Sequence, residues 1–256
     1  MLKSKKHNSQ SEWVAAWNAS KIMAKTPEGA SRAEYLIDTA CRRVPTESTV
    51  YGWSGGKDTL ALQVVVERCG VERGVIGTIG WRWEYPSFKR FVMSAKPSGV
   101  VVRDFGYTAE WMNENPRFVF PESSKDAYYW FTHCNQAAYY GYAKEVGADN
   151  VVLGHRTADG NVCGGGEMVS HGVRKVFPLH DWSHEDVFLV VAYAQIGLPE
   201  IYFEDGGFYQ GTHAWPMRTG GRRAMEEIWR INPSILKSGA DIDKVREFVN
   251  EMEAEK

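Results

Sequence analysis

Cysteine is scarce in this chain and poorly spaced for the chemistry it usually supports. Cys41, Cys69, Cys134 and Cys163 are far apart, and no two form a C-x-x-C pair. That argues against a disulfide scaffold and for a reducing compartment. No local pair has zinc-ligand spacing either, so His133, Cys134, Cys163, His171 and His213 predict no metal site. Long apolar runs are also missing. No stretch could span a bilayer, and the basic start Met1-Leu2-Lys3-Ser4-Lys5-Lys6 has no apolar signal core behind it. A soluble, cytoplasmic protein with no membrane partner is expected. Nor does one sign of charge dominate: 30 basic residues against 32 acidic leave a net charge of −2, which argues against wholesale binding to nucleic acid.

What is present is an alternation. Apolar runs with the character of buried parallel strands lie near 49–53, 74–79, 99–103 and 150–153, separated by helical patterns at 58–69, about 86–95 and 124–146. Strands alternating with helices predict an α/β fold, a doubly wound parallel sheet with right-handed crossovers. Helices are expected before it, at 11–24 and 29–43, and after it, at about 219–231 and 241–254. The Ser183-His184-Glu185-Asp186 capping box predicts one more, ending at Gly197. This divides the chain into a helical extension (1–45), an α/β domain (46–218) and a second helical extension (219–256). The terminal helices are expected to pack on the domain or on a partner, including a second copy.

The segment Tyr51-Gly52-Trp53-Ser54-Gly55-Gly56-Lys57-Asp58-Thr59 joins the first strand to its helix. Strand, glycine turn and helix in that order make a phosphate cradle. Gly55 and Gly56 let the backbone approach an anion and point N–H groups at it. The helix start adds its positive end, Ser54 and Thr59 add hydroxyls, and Lys57 adds a mobile charge. Asp58 has two readings, a helix cap or a carboxylate for Mg²⁺ against the phosphates. The other common phosphate loop does not fit, because Lys57 is followed by Asp and position 51 is Tyr where that motif needs Gly.

Ser-Gly-Gly-Lys-Asp-Thr resembles the signature of the PP-loop ATP pyrophosphatases, and further residues resemble the phosphoadenosine-phosphosulfate (PAPS) reductase-like branch of that superfamily. Thr78 and Glu84 keep the branch's Thr-to-Glu spacing, with Tyr85 and Phe88 after them. Gly154-His155-Arg156 matches its Gly-x-Arg, and Pro178-Leu179 with Trp182-Ser183 and Asp186-Val187 matches a later segment. Gly197-Leu198-Pro199 and Gly206-Gly207-Phe208-Tyr209 continue the register, so the similarity spans roughly 45–218. The resemblance implies a Rossmann-like, adenine nucleotide alpha-hydrolase-like domain. It also implies ATP or a related adenine nucleotide and Mg²⁺ bound through Ser54, Gly55, Gly56, Lys57, Asp58, Thr59, Thr78, Glu84, Gly154 and Arg156. Lys57, Asp58 and Arg156 would carry the chemistry, with Arg156 clamping a phosphate or the acceptor. Glu84 is a nucleotide or substrate contact or a cap for the helix at Pro86. Trp53 and Trp81 stack on adenine or pack in the core. Arg174, Lys175, Arg222 and Arg223 line an anionic groove or are solvated charge.

The departures narrow the activity. The branch's iron–sulfur members use a Cys-Cys pair and a later C-x-x-C, where this chain has His133-Cys134 and a stretch from Gly211 to Arg218 without cysteine. The reductases' C-terminal nucleophilic cysteine is also missing, and Gly77 stands where many relatives have Asp. The expected activity is therefore ATP-dependent adenylation of a small-molecule or nucleobase acceptor, with pyrophosphate released. The alternatives are a sulfonucleotide (PAPS/APS) reductase with a non-standard thiol, and a non-catalytic nucleotide-binding assembly subunit.

Overall fold

The computed structural model describes residues 2, 7–78, 81, 84–104, 113–115, 123, 125, 136–170, 172–212 and 221–255. His133, Cys134, His171, His213 and Met217, named above or lying in the cysteine-free stretch, fall outside them.

Six strands form one sheet: β1 (Thr49–Gly52), β2 (Gly74–Thr78), β3 (Val100–Asp104), β4 (Asn150–Val152), β5 (Glu167–Ser170) and β6 (Val173–Val176), in the order β3-β2-β1-β4-β6-β5. Every neighbouring pair is parallel except β5 and β6. The α/β, doubly wound architecture is thus present, with an antiparallel edge hairpin that the apolar-run reading did not contain. The reason is local. Glu-Met-Val-Ser and Val-Arg-Lys-Val each mix two polar with two apolar residues rather than forming apolar runs, and Gly172 turns between them with φ +76°.

The central strands read as continuous apolar runs because both faces are covered. Val50, Val75 and Val151 face a core with Tyr142, Ala143 and Phe177, while Tyr51, Ile76 and Val152 face the larger one. The larger core is closed by α1 (Gln10–Met23), α2 (Pro27–Cys41), α3 (Lys57–Cys69) and the helix His184–Tyr193. The smaller is covered by the helix Gln136–Val146, the described part of the predicted 124–146. In chain order these last two are α5 (Gln136–Val146) and α6 (His184–Tyr193), with α4 (Pro86–Ala95) after β2. Capping boxes at Ser9 with Glu12 and at Ser183 with Asp186 set the starts of α1 and α6.

The end of the chain forms α7 (Gly207–Gln210), α8 (Gly221–Ile231), α9 (Pro233–Ser238) and α10 (Asp243–Ala254). The terminal helices bury Trp13, Trp17, Ile37, Ile228, Val245 and Phe248 in the larger core, so those apolar faces are already covered within the chain. No helix among the described residues is long and apolar enough to cross a membrane.

One expectation needs correction. Cys41, at the end of α2, and Cys69, at the end of α3, have Cα atoms 5.8 Å apart and are joined as a disulfide. They are 28 positions apart in sequence, and only the packing of α2 against α3 brings them together. Spacing along the chain gave no sign of this pair, because it does not report distance between helices.

Candidate functional site

The sheet changes direction at β1. From there the chain adds β2 and β3 on one side and β4 on the other, so a crevice opens beyond the carboxyl ends of β1 and β4. Two segments meet there, residues 53–59 after β1 and 153–159 after β4.

The first is a braced loop. Gly55 has φ +66°, and a Cβ there would lie 3.0–3.1 Å from Phe91 and Phe88 of α4, so both conformation and space demand glycine. Ser54 N–H donates to Thr59 Oγ1 at 3.1 Å, and Thr59 Oγ1 donates to Gly56 O at 3.0 Å. Gly56 is the N-cap of α3 and has no side chain to satisfy the first amides. A Cβ on it would meet three hydroxyl oxygens, Tyr202 Oη at 3.2 Å, Ser54 Oγ at 3.3 Å and Thr212 Oγ1 at 3.5 Å. Polar groups thus converge on the helix start.

The second segment comes very close to the first. A Cβ on Gly154 would sit 3.0 Å from Asp58 O, which explains glycine at that position. Two residues later Arg156 is fully enclosed. Its Nε donates to Asp58 Oδ1 and one Nη2 hydrogen to Asp159 Oδ2, both at 2.7 Å. Nη1 donates to Trp182 O at 3.0 Å, and Nη2 also meets His184 Nδ1 at 2.9 Å. Lys57 is equally buried, its Nζ 2.7 Å from Asp58 Oδ2 and 3.6 Å from Asp159 Oδ1. Two cations and two carboxylates therefore neutralise one another, and the four charges are tolerable in the interior only as a set. His184 completes the set as a neutral acceptor. Burial, with Lys57 and Arg156 nearby, pushes its pKa down to about 4, and its Nε2 is buried without a partner among the described residues.

The predicted residues thus fall into two groups. Ser54, Gly55, Gly56, Lys57, Asp58, Thr59, Gly154 and Arg156 are brought together. Arg156, expected to grip a phosphate, directs its donors at Asp58, Asp159, the Trp182 carbonyl and His184. Asp58 does not cap α3, since its oxygens face Lys57 and Arg156. Thr78 and Glu84 lie at the end of β2 and the turn after it. Both are buried, and the Thr78 hydroxyl has no partner among the described residues, as is also true of Tyr85 and Ser87 beside it. Glu84 is not the cap of α4, whose N-cap is Tyr85.

Trp53 is fully buried, stacked on Phe91 and donating to Gln63 Oε1 at 2.9 Å, and Trp81 is packed against the larger core. Arg174, Arg222 and Arg223 lie in exposed ion pairs with Glu167, Glu226 and Glu227, and Lys175 is buried over the Tyr140 ring, so the four form no common groove. Sequence reasoning missed Asp159, whose only signal is its place three residues after Arg156, and Tyr202, for which there was no signal.

A divalent ion would find two carboxylates here, Asp58 and Asp159, both already facing Lys57 and Arg156. No group of three His, Cys, Asp or Glu among the described residues is arranged to hold a metal. The donor set fits Mg²⁺ only as a companion of phosphate oxygens, held by Asp58.

No protein-family model matches the chain, and no curated protein matches it. Among solved structures, the PAPS reductase from Candida auris in its phosphate complex is similar, with a TM-score of 0.46 and 16% identity over 66% of this chain and 82% of that one. The U34-tRNA thiolase NcsA from Methanococcus maripaludis, with its 4Fe-4S cluster, gives 0.48 and 11% identity over 87% and 80%. Likeness at this level says nothing of ligand or activity.

Proposed function

We propose that this chain is a PP-loop, PAPS reductase-like enzyme that uses ATP to adenylate an acceptor and releases pyrophosphate. The observation that carries the reading is the buried Lys57, paired with the half-buried Asp58 at the sheet's switch point, at the head of a helix whose first amides no side chain of its cap satisfies. Burying a lysine beside two glycines carries a desolvation cost that the fold would not need for packing alone, and a polyanion is the ligand that this position suits.

In this reading the amides after Gly55 and the hydroxyls of Ser54 and Thr59 receive the leaving pyrophosphate. Lys57 turns from its carboxylates toward the phosphates as negative charge grows on the leaving oxygens. Asp159 and Arg156 keep Lys57 and Asp58 in position. Mg²⁺, when bound with the nucleotide, supplies further charge neutralisation. The orphaned Thr78 hydroxyl and Glu84 line the nucleotide or acceptor side. Attack by the acceptor oxygen on the α-phosphorus breaks the α–β bond, and the resulting adenylate is a good leaving group for a nucleophile such as ammonia, an amine or sulfide.

Cys163 supports a reaction that does not depend on a thiol. It is buried, and burial pushes its pKa up, so it is protonated at neutral pH and a poor nucleophile. Incubation of the protein with α-labelled ATP and candidate acceptors tests the reading. Formation of AMP or an adenylated product together with pyrophosphate is expected. Binding without any α–β cleavage across acceptor classes would favour a non-catalytic subunit.

A further inference from the structure

The amide that the loop should offer to an anion is already in use. Lys57 is the first residue of α3, so its N–H is one of the donors a helix leaves unsatisfied. That N–H donates to the Tyr202 hydroxyl at 2.9 Å, across 145 positions of sequence. The same oxygen is the nearest atom to a Cβ built on Gly56, so it stands in the space that glycine at 56 leaves open.

The tyrosine is held firmly. It belongs to the short 3-10 turn Glu200–Phe203, its ring stacks on Phe208 at 4.7 Å, and Phe208 stacks on Trp13 of α1 at 5.3 Å. Its carbonyl accepts from Gln10 Nε2 at 2.6 Å. A second contact comes from the same stretch of chain, where Thr212 Oγ1 donates to Ser54 O at 3.3 Å. Residues 199–212 therefore touch the loop at both ends.

Burial raises the Tyr202 pKa, so its hydroxyl is a neutral oxygen on a donor aimed at an anion. A phosphate oxygen in that place would make the stronger, charge-assisted bond. Both cannot occupy it.

Resting on the proposed phosphate-binding role of the loop, we propose that Tyr202 is a further determinant of that site. Its hydroxyl competes with the phosphate for the Lys57 amide, so the 199–212 segment must withdraw from the loop for a phosphate to bind. Apparent affinity is then lowered by the fraction of molecules in which the tyrosine is seated.

Calorimetry with inorganic pyrophosphate and with ATP tests this on wild type, Tyr202→Phe and Thr212→Val. Phenylalanine keeps the ring stack and deletes only the competing oxygen. Tyr202→Phe should bind both probes more tightly by about three- to tenfold, the weight of one net hydrogen bond. Thr212→Val should shift affinity in the same direction by less. Melting temperatures check that both variants fold. Weaker binding by Tyr202→Phe would make the hydroxyl a ligand contact and overturn the competition. Equal affinity in wild type and Tyr202→Phe would also overturn it while leaving the loop's role intact. No binding by any of the three proteins would overturn both this inference and the reading on which it rests.

Discussion

Arg156 Nε and Asp58 Oδ1 meet at 2.7 Å, although the two residues are 98 positions apart in the chain. Through this bond the end of β4 holds the start of α3, and Asp159 extends the grip to Lys57. The arginine thereby fixes the positions of Lys57 and Asp58 at the head of α3.

Arg156→Lys should therefore act first on stability. A lysine keeps the charge but not the planar fork that reaches Asp58, Asp159, the Trp182 carbonyl and His184 together. Breaking a buried pair of this kind costs about 3 kcal/mol, which in a chain of this size lowers the melting temperature by roughly 10 °C. Urea unfolding and calorimetric melting measure it. An unchanged midpoint with a large loss of ATP affinity would return Arg156 to direct ligand contact.

Stability should also carry a histidine signature. Unfolded His184 titrates near its ordinary value, whereas the folded side chain titrates at about 4. Between those values the unfolded chain takes up a proton that the folded one refuses, so stability falls as the pH drops through this window, by at most about 3 kcal/mol. His184→Asn retains an acceptor for Arg156 but has no proton to gain. Comparing urea midpoints at about pH 7 and about pH 4.5 should show a steeper loss in wild type than in the variant. Identical losses would mean that other groups carry the acid sensitivity.

Gly56→Val should abolish ATP binding while the sheet stays folded. The neighbours of a Cβ at 56 are ends of side chains, which can shift, rather than backbone. Circular dichroism and calorimetry together read this, and wild-type affinity in the variant would remove the loop from the binding site.

Thiols should be dispensable. A Cys134→Ser, Cys163→Ser double variant is expected to retain conversion of α-labelled ATP to AMP and pyrophosphate, and anaerobically purified protein is expected to carry no stoichiometric iron and sulfide. Loss of turnover with intact ATP binding would point to a reductase or thiol-transfer reaction instead.

By itself the sequence determined what depends on neighbouring residues. Apolar runs alternating with amphipathic helices specify a doubly wound sheet because strands covered on both faces have no polar side. Two glycines between β1 and α3 mark a close backbone approach, and the cap at Ser183 set the start of α6. The β5–β6 hairpin left little signal, because Glu-Met-Val-Ser and Val-Arg-Lys-Val form neither an apolar run nor a strict alternation. Tertiary structure alone decided what depends on distance. The enclosure of Arg156, the Lys57–Asp159 contact, the pairing of Cys41 with Cys69 and the seating of Tyr202 on the loop join residues from separate elements, and local pattern holds no record of such meetings. A charged side chain reads the same in sequence whether it faces a ligand or a buried counter-charge. Only the low-dielectric interior, where an unpaired charge is costly, makes the choice.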